Sequence, residues 1–302
     1  MRVVFMGTPE IAAMVLDSLI GSKHEVAAVV TQPDKPNSRG NAVIYSAVKQ
    51  LALEHDIPVL QPQKASSEES VAEIASYNPD IIVVAAYGQI LKENLLNLPK
   101  YRCINVHASL LPKYRGASPI QWAVINGDEE TGVSIMYMEK GLDTGDVILQ
   151  KGLKLDPDET AGSLHDRLGE LAGPVLLEAM DLIENGNAHP VKQDDSLSTY
   201  VSMLDKSMGE LDFTKTSEEL ERLIRGLIPW PGAYMHINGK MLKIWKAAIG
   251  DVKGLKPGEI YTARVGEFYV GTADGSLNIL ELQLEGRKRM YTSDFLRGFK
   301  VC

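Results

Sequence analysis

Asn105 and His107 stand two residues apart in Cys103-Ile104-Asn105-Val106-His107, an apolar run that suits a β-strand. On a strand, that spacing puts both side chains on one face. The chain continues as Ala108-Ser109-Leu110-Leu111-Pro112-Lys113-Tyr114-Arg115-Gly116 and on through Pro119 and Trp122. A proline–glycine loop therefore follows the strand's C-terminal end, where open α/β sheets bind ligands. A second polar cluster, Gly141-Leu142-Asp143-Thr144-Gly145-Asp146, follows a predicted strand over residues 133–138. Its glycines permit a loop that swings Asp143 toward the same strand ends. An amide, an imidazole and a carboxylate meeting there suit acyl transfer. Asn105 and His107 can donate hydrogen bonds to an oxyanion forming on a carbonyl carbon. Asp143 can hold His107 protonated and relay protons from an attacking amine. No serine or cysteine is needed when the nucleophile belongs to the substrate. Taken singly, His107 also fits a core histidine bonded to backbone, and Asp143 fits a turn. Asn105 at period two and the loop beyond it favour chemistry for His107. For Asp143, spacing alone leaves both readings open.

The elements that must position these residues are legible as alternation. Short β-branched runs at residues 2–6, 25–30, 80–85, 103–106, 133–138 and 147–153 alternate with helical stretches. That is the pattern of an α/β fold with a mostly parallel sheet and crossover helices. Residues 80–86 are apolar on both faces, as a central parallel strand requires. Helices are predicted from Thr8-Pro9-Glu10, with Thr8 as N-cap, and over residues 46–55, 67–77 and 161–184. Asn185-Gly186 supplies a stop signal to the last of these. Gly7-Thr8-Pro9-Glu10 occupies the turn where a dinucleotide-binding chain would carry GxGxxG. The later glycines are missing and Glu10 competes with a pyrophosphate, which argues against NAD. Residues 189–206 are polar and irregular, a linker or surface strap. Beyond them Thr216 and Glu219 have capping-box spacing. Short strands at 234–237, 241–246, 268–272 and 277–284, separated by glycine corners, suggest a small barrel of the oligonucleotide-binding kind.

The 302 residues suit two domains. No apolar run approaches the ~18 residues of a membrane span, and Met1-Arg2-Val3-Val4-Phe5-Met6-Gly7 reads as a first strand rather than a signal peptide. Cys103 and Cys302 form no metal or disulfide spacing, so a cytoplasmic protein without a metal is expected. The net charge of −9 is unevenly placed: residues 1–205 carry 16 basic and 28 acidic side chains, residues 206–302 carry 15 and 12. A mildly basic last third suits contact with phosphates through the tail and a few loops, and it is equally compatible with chance.

Asn105-x-His107-x-Ser109-Leu110-Leu111-Pro112 through Gly116 resembles the defining motif of the folate-dependent formyltransferases, and Gly141-Leu142-Asp143-Thr144-Gly145 resembles their active-site loop. The match extends to Met6-Gly7-Thr8-Pro9, Gln32-Pro33-Asp34-Lys35-Pro36, Ala85-Ala86-Tyr87-Gly88, Ile224-Arg225-Gly226, Pro229-Trp230-Pro231-Gly232-Ala233 and Asp294-Phe295-Leu296-Arg297-Gly298. With these, nearly the whole chain resembles the members that act on charged tRNA. The resemblance implies a Rossmann-like catalytic domain over residues 1–188, a linker over 189–206, and a C-terminal β-barrel domain over 207–302 contacting tRNA. It implies a formyl group moved from 10-formyltetrahydrofolate to the amine of methionyl initiator tRNA, in translation initiation, with Asn105, His107 and Asp143 as the catalytic trio. Ser109, Leu110, Leu111 and Pro112 would lie against the folate, and Tyr87, Gly88, Gln89 and Ile90 would add backbone contacts to the pterin. Arg39, in the loop from Asp34 to Gly40, matches a basic tRNA-contacting position, while the Pro- and Gly-bearing charged loop taken by itself reads as a solvated surface loop. Where family members often continue with lysines, this chain has Asn41-Ala42-Val43-Ile44-Tyr45. Arg287, Lys288 and Arg289 offer a second phosphate contact and equally fit a charged hairpin turn.

Other readings remain at this point. A glycinamide-type formyltransferase would end near residue 200. An amino-sugar enzyme could keep a tail, but the Arg225-Gly226 and Pro229-Trp230-Pro231 block favours tRNA. A formyl-folate hydrolase would use the same residues with water as acceptor. A catalytically silent RNA-binding module has no use for the trio. Nothing in the sequence demands an oligomer, and a monomer is expected.

Overall fold

The computed structural model describes residues 1–36, 43–262, 264–299 and 301. The chain divides into two compact units, one of Met1–Gly116, Thr131–Leu153 and His165–Val201, the other of Ala117–Glu130, Lys154–Leu164 and Ser202–Cys302.

The first unit is built on a seven-stranded sheet. Its strands are β1 (Arg2–Gly7), β2 (Glu25–Val30), β3 (Val59–Leu60), β4 (Ile81–Ala85), β5 (Cys103–His107), β6 (Glu130–Tyr137) and β7 (Val147–Lys154). Their spatial order is β7-β6-β5-β4-β1-β2-β3. Pairing is parallel from β5 through β4 and β1 to β2 and β3, and antiparallel between β5 and β6. The chain steps outward from β1 to β3, then returns to β4 and β5 on the other side of β1. That reversal opens a crevice at the C-terminal ends of β1 and β4, the usual ligand position of a doubly wound sheet. All five residues of β4 are buried, as its two-faced apolar sequence predicts.

Helices α1 (Glu10–Ile20), α2 (Ala47–Glu54), α3 (Glu68–Ser76) and the one-turn α4 (Glu93–Leu96) supply crossovers. Ser46 and Ser67 cap α2 and α3 by accepting from the N–H groups of Lys49 and Ser70. Thr8 does not cap α1 as expected. Pro9 is the N-cap, and the Thr8 hydroxyl instead donates to the Tyr87 carbonyl at 3.1 Å. Gly7 is required by close approach. A Cβ there would lie 2.7 Å from the Ala12 Cβ and 2.9 Å from the Ala85 carbonyl oxygen, wedging β1 from α1 and β4.

In the second unit α5 (Pro119–Asn126), which no periodicity announced, packs with α7 (Ser217–Gly226). The long α6 (Ala161–Glu184), which belongs to the first unit from His165 on, spans its expected residues, and Gly186 follows it at φ +70°. The α7 capping box is formed, Thr216 accepting from the Glu219 N–H and the Glu219 carboxylate accepting from the Thr216 N–H. Six strands follow: β8 (Ala233–Ile237), β9 (Lys240–Ile249), β10 (Ile260–Tyr261), β11 (Tyr269–Gly271), β12 (Ser276–Leu284) and β13 (Met290–Tyr291). They pair antiparallel along β8-β9-β12-β11-β10, with β13 also on β12. The register of β9 slips between Ile244 and Ala247, the kind of bulge that bends a sheet toward a barrel. Phe268, Leu277, Ile279 and Leu282 fill its core with Leu220 and Ile224 of α7. A short C-terminal helix, α8 (Thr292–Gly298), is an addition to the expected elements.

Residues 190–201 form a strap within the first unit. Val191 bridges Val147 through both backbone groups, Gln193 is buried, and Tyr200–Val201 pairs in parallel with Arg115–Gly116. Among the described residues no helix is long and apolar enough to cross a membrane.

Candidate active site

Asn105 and His107 end β5 on one face, and their register is set from both sides. Asn105 pairs with Val84 of β4 and Met136 of β6, His107 with Ser134 of β6. The His107 Nε2 lies 2.8 Å from the Tyr114 carbonyl oxygen. A carbonyl can only accept, so Nε2 carries the proton and donates it. Nδ1 then faces Asp143, whose Oδ2 is 3.8 Å away, with both side chains largely shielded from solvent. That gap exceeds a hydrogen bond and is within ion-pair reach. The Asn105 amide is 9% exposed and bonds to nothing among the described residues. A nearly buried amide without a partner costs free energy unless a ligand supplies one.

Asp143 reaches this face from the loop between β6 and β7. Its φ is +53°, a left-handed backbone rare outside glycine. Such a conformation costs about 1–3 kcal/mol and persists only where neighbours over-determine it. Here they do. The Gly116 N–H donates to Oδ2 at 2.8 Å, and the Gln193 side-chain amide donates to the carbonyls of Asp143 and Gly145, each at 2.8 Å. Gln193 in turn accepts from the Arg115 Nε at 3.0 Å. Arg115 is 1% exposed, and its other nitrogens donate to the Tyr200 hydroxyl at 3.0 Å and to Asp195 at 2.8 Å. Burial opposes the guanidinium charge, but the bonds to Tyr200 and Asp195 outweigh it and leave the pKa raised.

The residues expected to meet the folate occupy two neighbouring strand ends. Beyond β5, Ser109 donates to the Lys113 carbonyl and Leu111 N–H donates to the Ser134 hydroxyl. Gln150 donates to both the Leu111 carbonyl and Ser134, locking the turn that Pro112 closes. Leu111 is buried, and Leu110 lies against Gly132, where a Cβ would come within 2.7 Å of its side chain. Beyond β4, Ala86 and Gly88 have positive φ. Tyr87 packs into the core, its carbonyl accepting from Thr8 and Gln32, and burial pushes its hydroxyl up to about 12. Gln89 accepts from the Ala65 N–H. Ile90 is 85% exposed. The backbone N–H groups of Gly88, Gln89 and Ile90 bond to nothing among the described residues.

Of the basic residues, Arg39 lies outside the described residues. Arg287, Lys288 and Arg289 are exposed in the turn after β12. Arg289 is neutralised by Glu281 and rests over Trp245 at 5.0 Å, whereas Arg287 and Lys288 have no ion pair among the described residues. Among the described residues one cluster of metal-ligand type exists, His24 with Asp181 and Glu184. Lys23 and the Met1 ammonium already pair with its carboxylates. Sequence reasoning missed Gln193, Arg115, Ser134 and Gln150. Gln193 sits in a polar stretch with no pattern, and its partners are 48 to 78 positions away.

Residues 1–180 match the formyl transferase family model, and residues 203–300 match that of the formyl transferase C-terminal domain. The methionyl-tRNA formyltransferase of Lachnospira eligens is 53% identical over 304 residues, covering 99% of this chain and 96% of its own. That of Geobacter sulfurreducens is 50% identical, covering 100% and 95%. Among solved structures, the sugar 3N-formyl transferase WlaRD, determined with dTDP and 5-N-formyl-THF, superposes with a TM-score of 0.69 at 20% identity, covering 95% of this chain and 99% of its own. HypX from Aquifex aeolicus, in complex with tetrahydrofolic acid, gives 0.66 at 19% identity, covering 100% of this chain and 48% of its own. These two distant likenesses bear on the fold.

Proposed function

The chain belongs to the methionyl-tRNA formyltransferase family, and on that premise we propose that it transfers the formyl group of 10-formyltetrahydrofolate to the free amine of methionyl initiator tRNA. The observation that carries this reading is the unpartnered Asn105 amide beside the His107–Asp143 pair. The donor, when bound, supplies a formyl carbon open to attack by the methionyl amine. Asn105 donates its N–H to the formyl oxygen as negative charge develops there. With Nε2 committed to Tyr114, His107 acts through Nδ1, and Asp143 stabilises positive charge on the ring. Asp143 accepts the proton that the amine loses as the new C–N bond forms. That proton leaves with the folate nitrogen as the old bond breaks.

The free N–H groups at Gly88, Gln89 and Ile90, together with the apolar surface at Leu110, suit a flat heterocycle with polar edges. Arg39, Arg287, Lys288 and Arg289 are proposed to meet tRNA phosphates, the last of them least because Glu281 already holds it. The division into a catalytic part (1–188), a linker (189–206) and a tRNA-contacting part (207–302) belongs to the same proposal, as do a cytoplasmic location and a monomeric state.

The deciding experiment incubates the purified protein with 10-formyltetrahydrofolate and charged initiator tRNA. Formyl-methionyl-tRNA should appear in step with tetrahydrofolate. Formate release at the same rate without tRNA would instead identify a hydrolase.

A further inference from the structure

The Asp143 loop presents a mechanical problem that one strap residue solves. Residues 139–142 are exposed, and Asp143 holds a left-handed backbone. The two N–H bonds of the Gln193 amide go to the carbonyls of Asp143 and Gly145. Its oxygen accepts from Arg115, so the amide cannot flip without opposing like groups. Arg115 is itself immobilised by Tyr200 and Asp195 of the same strap. The next residue, Gly116, donates its N–H to the Asp143 carboxylate. The main chain and the side chain of Asp143 are therefore both referred to the Arg115–Gly116 pair. Resting on the proposed function above, we infer that Gln193 is a positioning residue for catalysis, holding Asp143 opposite His107 while touching no substrate.

Two substitutions separate this role from simple packing. Q193E keeps the size and the oxygen that accepts from Arg115, but places a carboxylate against two carbonyls it cannot serve. Q193L removes the bonds to Arg115, Asp143 and Gly145 without adding charge, and serves if Q193E does not fold. Circular dichroism and thermal melting establish folding first. Both variants should lose about tenfold or more in kcat, with KM for 10-formyltetrahydrofolate within about twofold of wild type. In a D143N background, adding Q193E should change kcat by less than about twofold, because the group being positioned is gone. Q193E at wild-type kcat would overturn the inference and assign Gln193 to Arg115 alone. A full additional loss in the D143N background would overturn it as well. Wild-type activity of D143N by itself would strike at the proposed function instead, so the two failures are distinct.

Discussion

Replacing Asp143 by asparagine isolates charge from shape. Asparagine tolerates left-handed φ, so the backbone at +53° is kept. Its side-chain oxygen can still accept from the Gly116 N–H that now bonds Oδ2 at 2.8 Å. What disappears is the negative charge 3.8 Å from the His107 Nδ1. Against a positive charge formed on the ring during transfer, a unit charge at that separation contributes about 4 kcal/mol at an effective dielectric of about 20. Each 1.36 kcal/mol is about tenfold in rate, so complete loss corresponds to roughly a thousandfold. The amide dipole retains part of the interaction, which places the expected fall in kcat between about 100- and 1000-fold. KM for the donor should move less than about threefold, because in the proposed mechanism the charge acts on the reacting centre. Single-turnover transfer of labelled formyl from 10-formyltetrahydrofolate to charged tRNA reads the chemical step directly. Unchanged thermal melting confirms that the loop survives. A variant keeping more than about a tenth of the wild-type rate would refute the electrostatic role of Asp143 beside His107.

The remaining expectations concern tRNA, packing and thiol chemistry. Arg39→Ala should lower kcat/KM for charged tRNA by about tenfold, roughly 1.4 kcal/mol, with folate binding kept; equal rates on charged tRNA would make Arg39 a solvated-loop residue. Arg287→Ala with Lys288→Ala should reduce the salt slope of tRNA binding by about one to two ion equivalents, measured by filter binding between low and moderate salt. Gly7→Ala should cost about 2 kcal/mol in urea unfolding, because the new methyl meets the Ala85 backbone oxygen at 2.9 Å and packed side chains nearer still. Burial pushes the Cys103 thiol up to about 12, so peptide mapping after alkylation at neutral pH should find it unmodified until the protein unfolds.

The α/β alternation was legible because buried parallel strands need unbroken apolar runs and crossover helices need amphipathic ones. The strands at Glu25–Val30 and the helix at Ala161–Glu184 occupy the residues where those patterns place them. Period-two spacing determined that Asn105 and His107 share a face, and the capping box at Thr216 and Glu219 was readable because its bonds are local. Where a bond is long-range, the sequence is silent. Thr8 was free to cap α1 until folding brought the Tyr87 carbonyl within 3.1 Å of its hydroxyl. Which nitrogen of His107 faces Asp143 depends on the Tyr114 carbonyl, seven residues on and around a turn. The strap from Val191 to Val201 carries no periodicity, yet it contributes Gln193, Asp195 and Tyr200 to the support of Asp143. Local spacing determined which groups could do chemistry. Only tertiary folding decided which of them are held in place, because a buried arginine and an amide that spans two carbonyls acquire their partners from segments up to 85 residues apart.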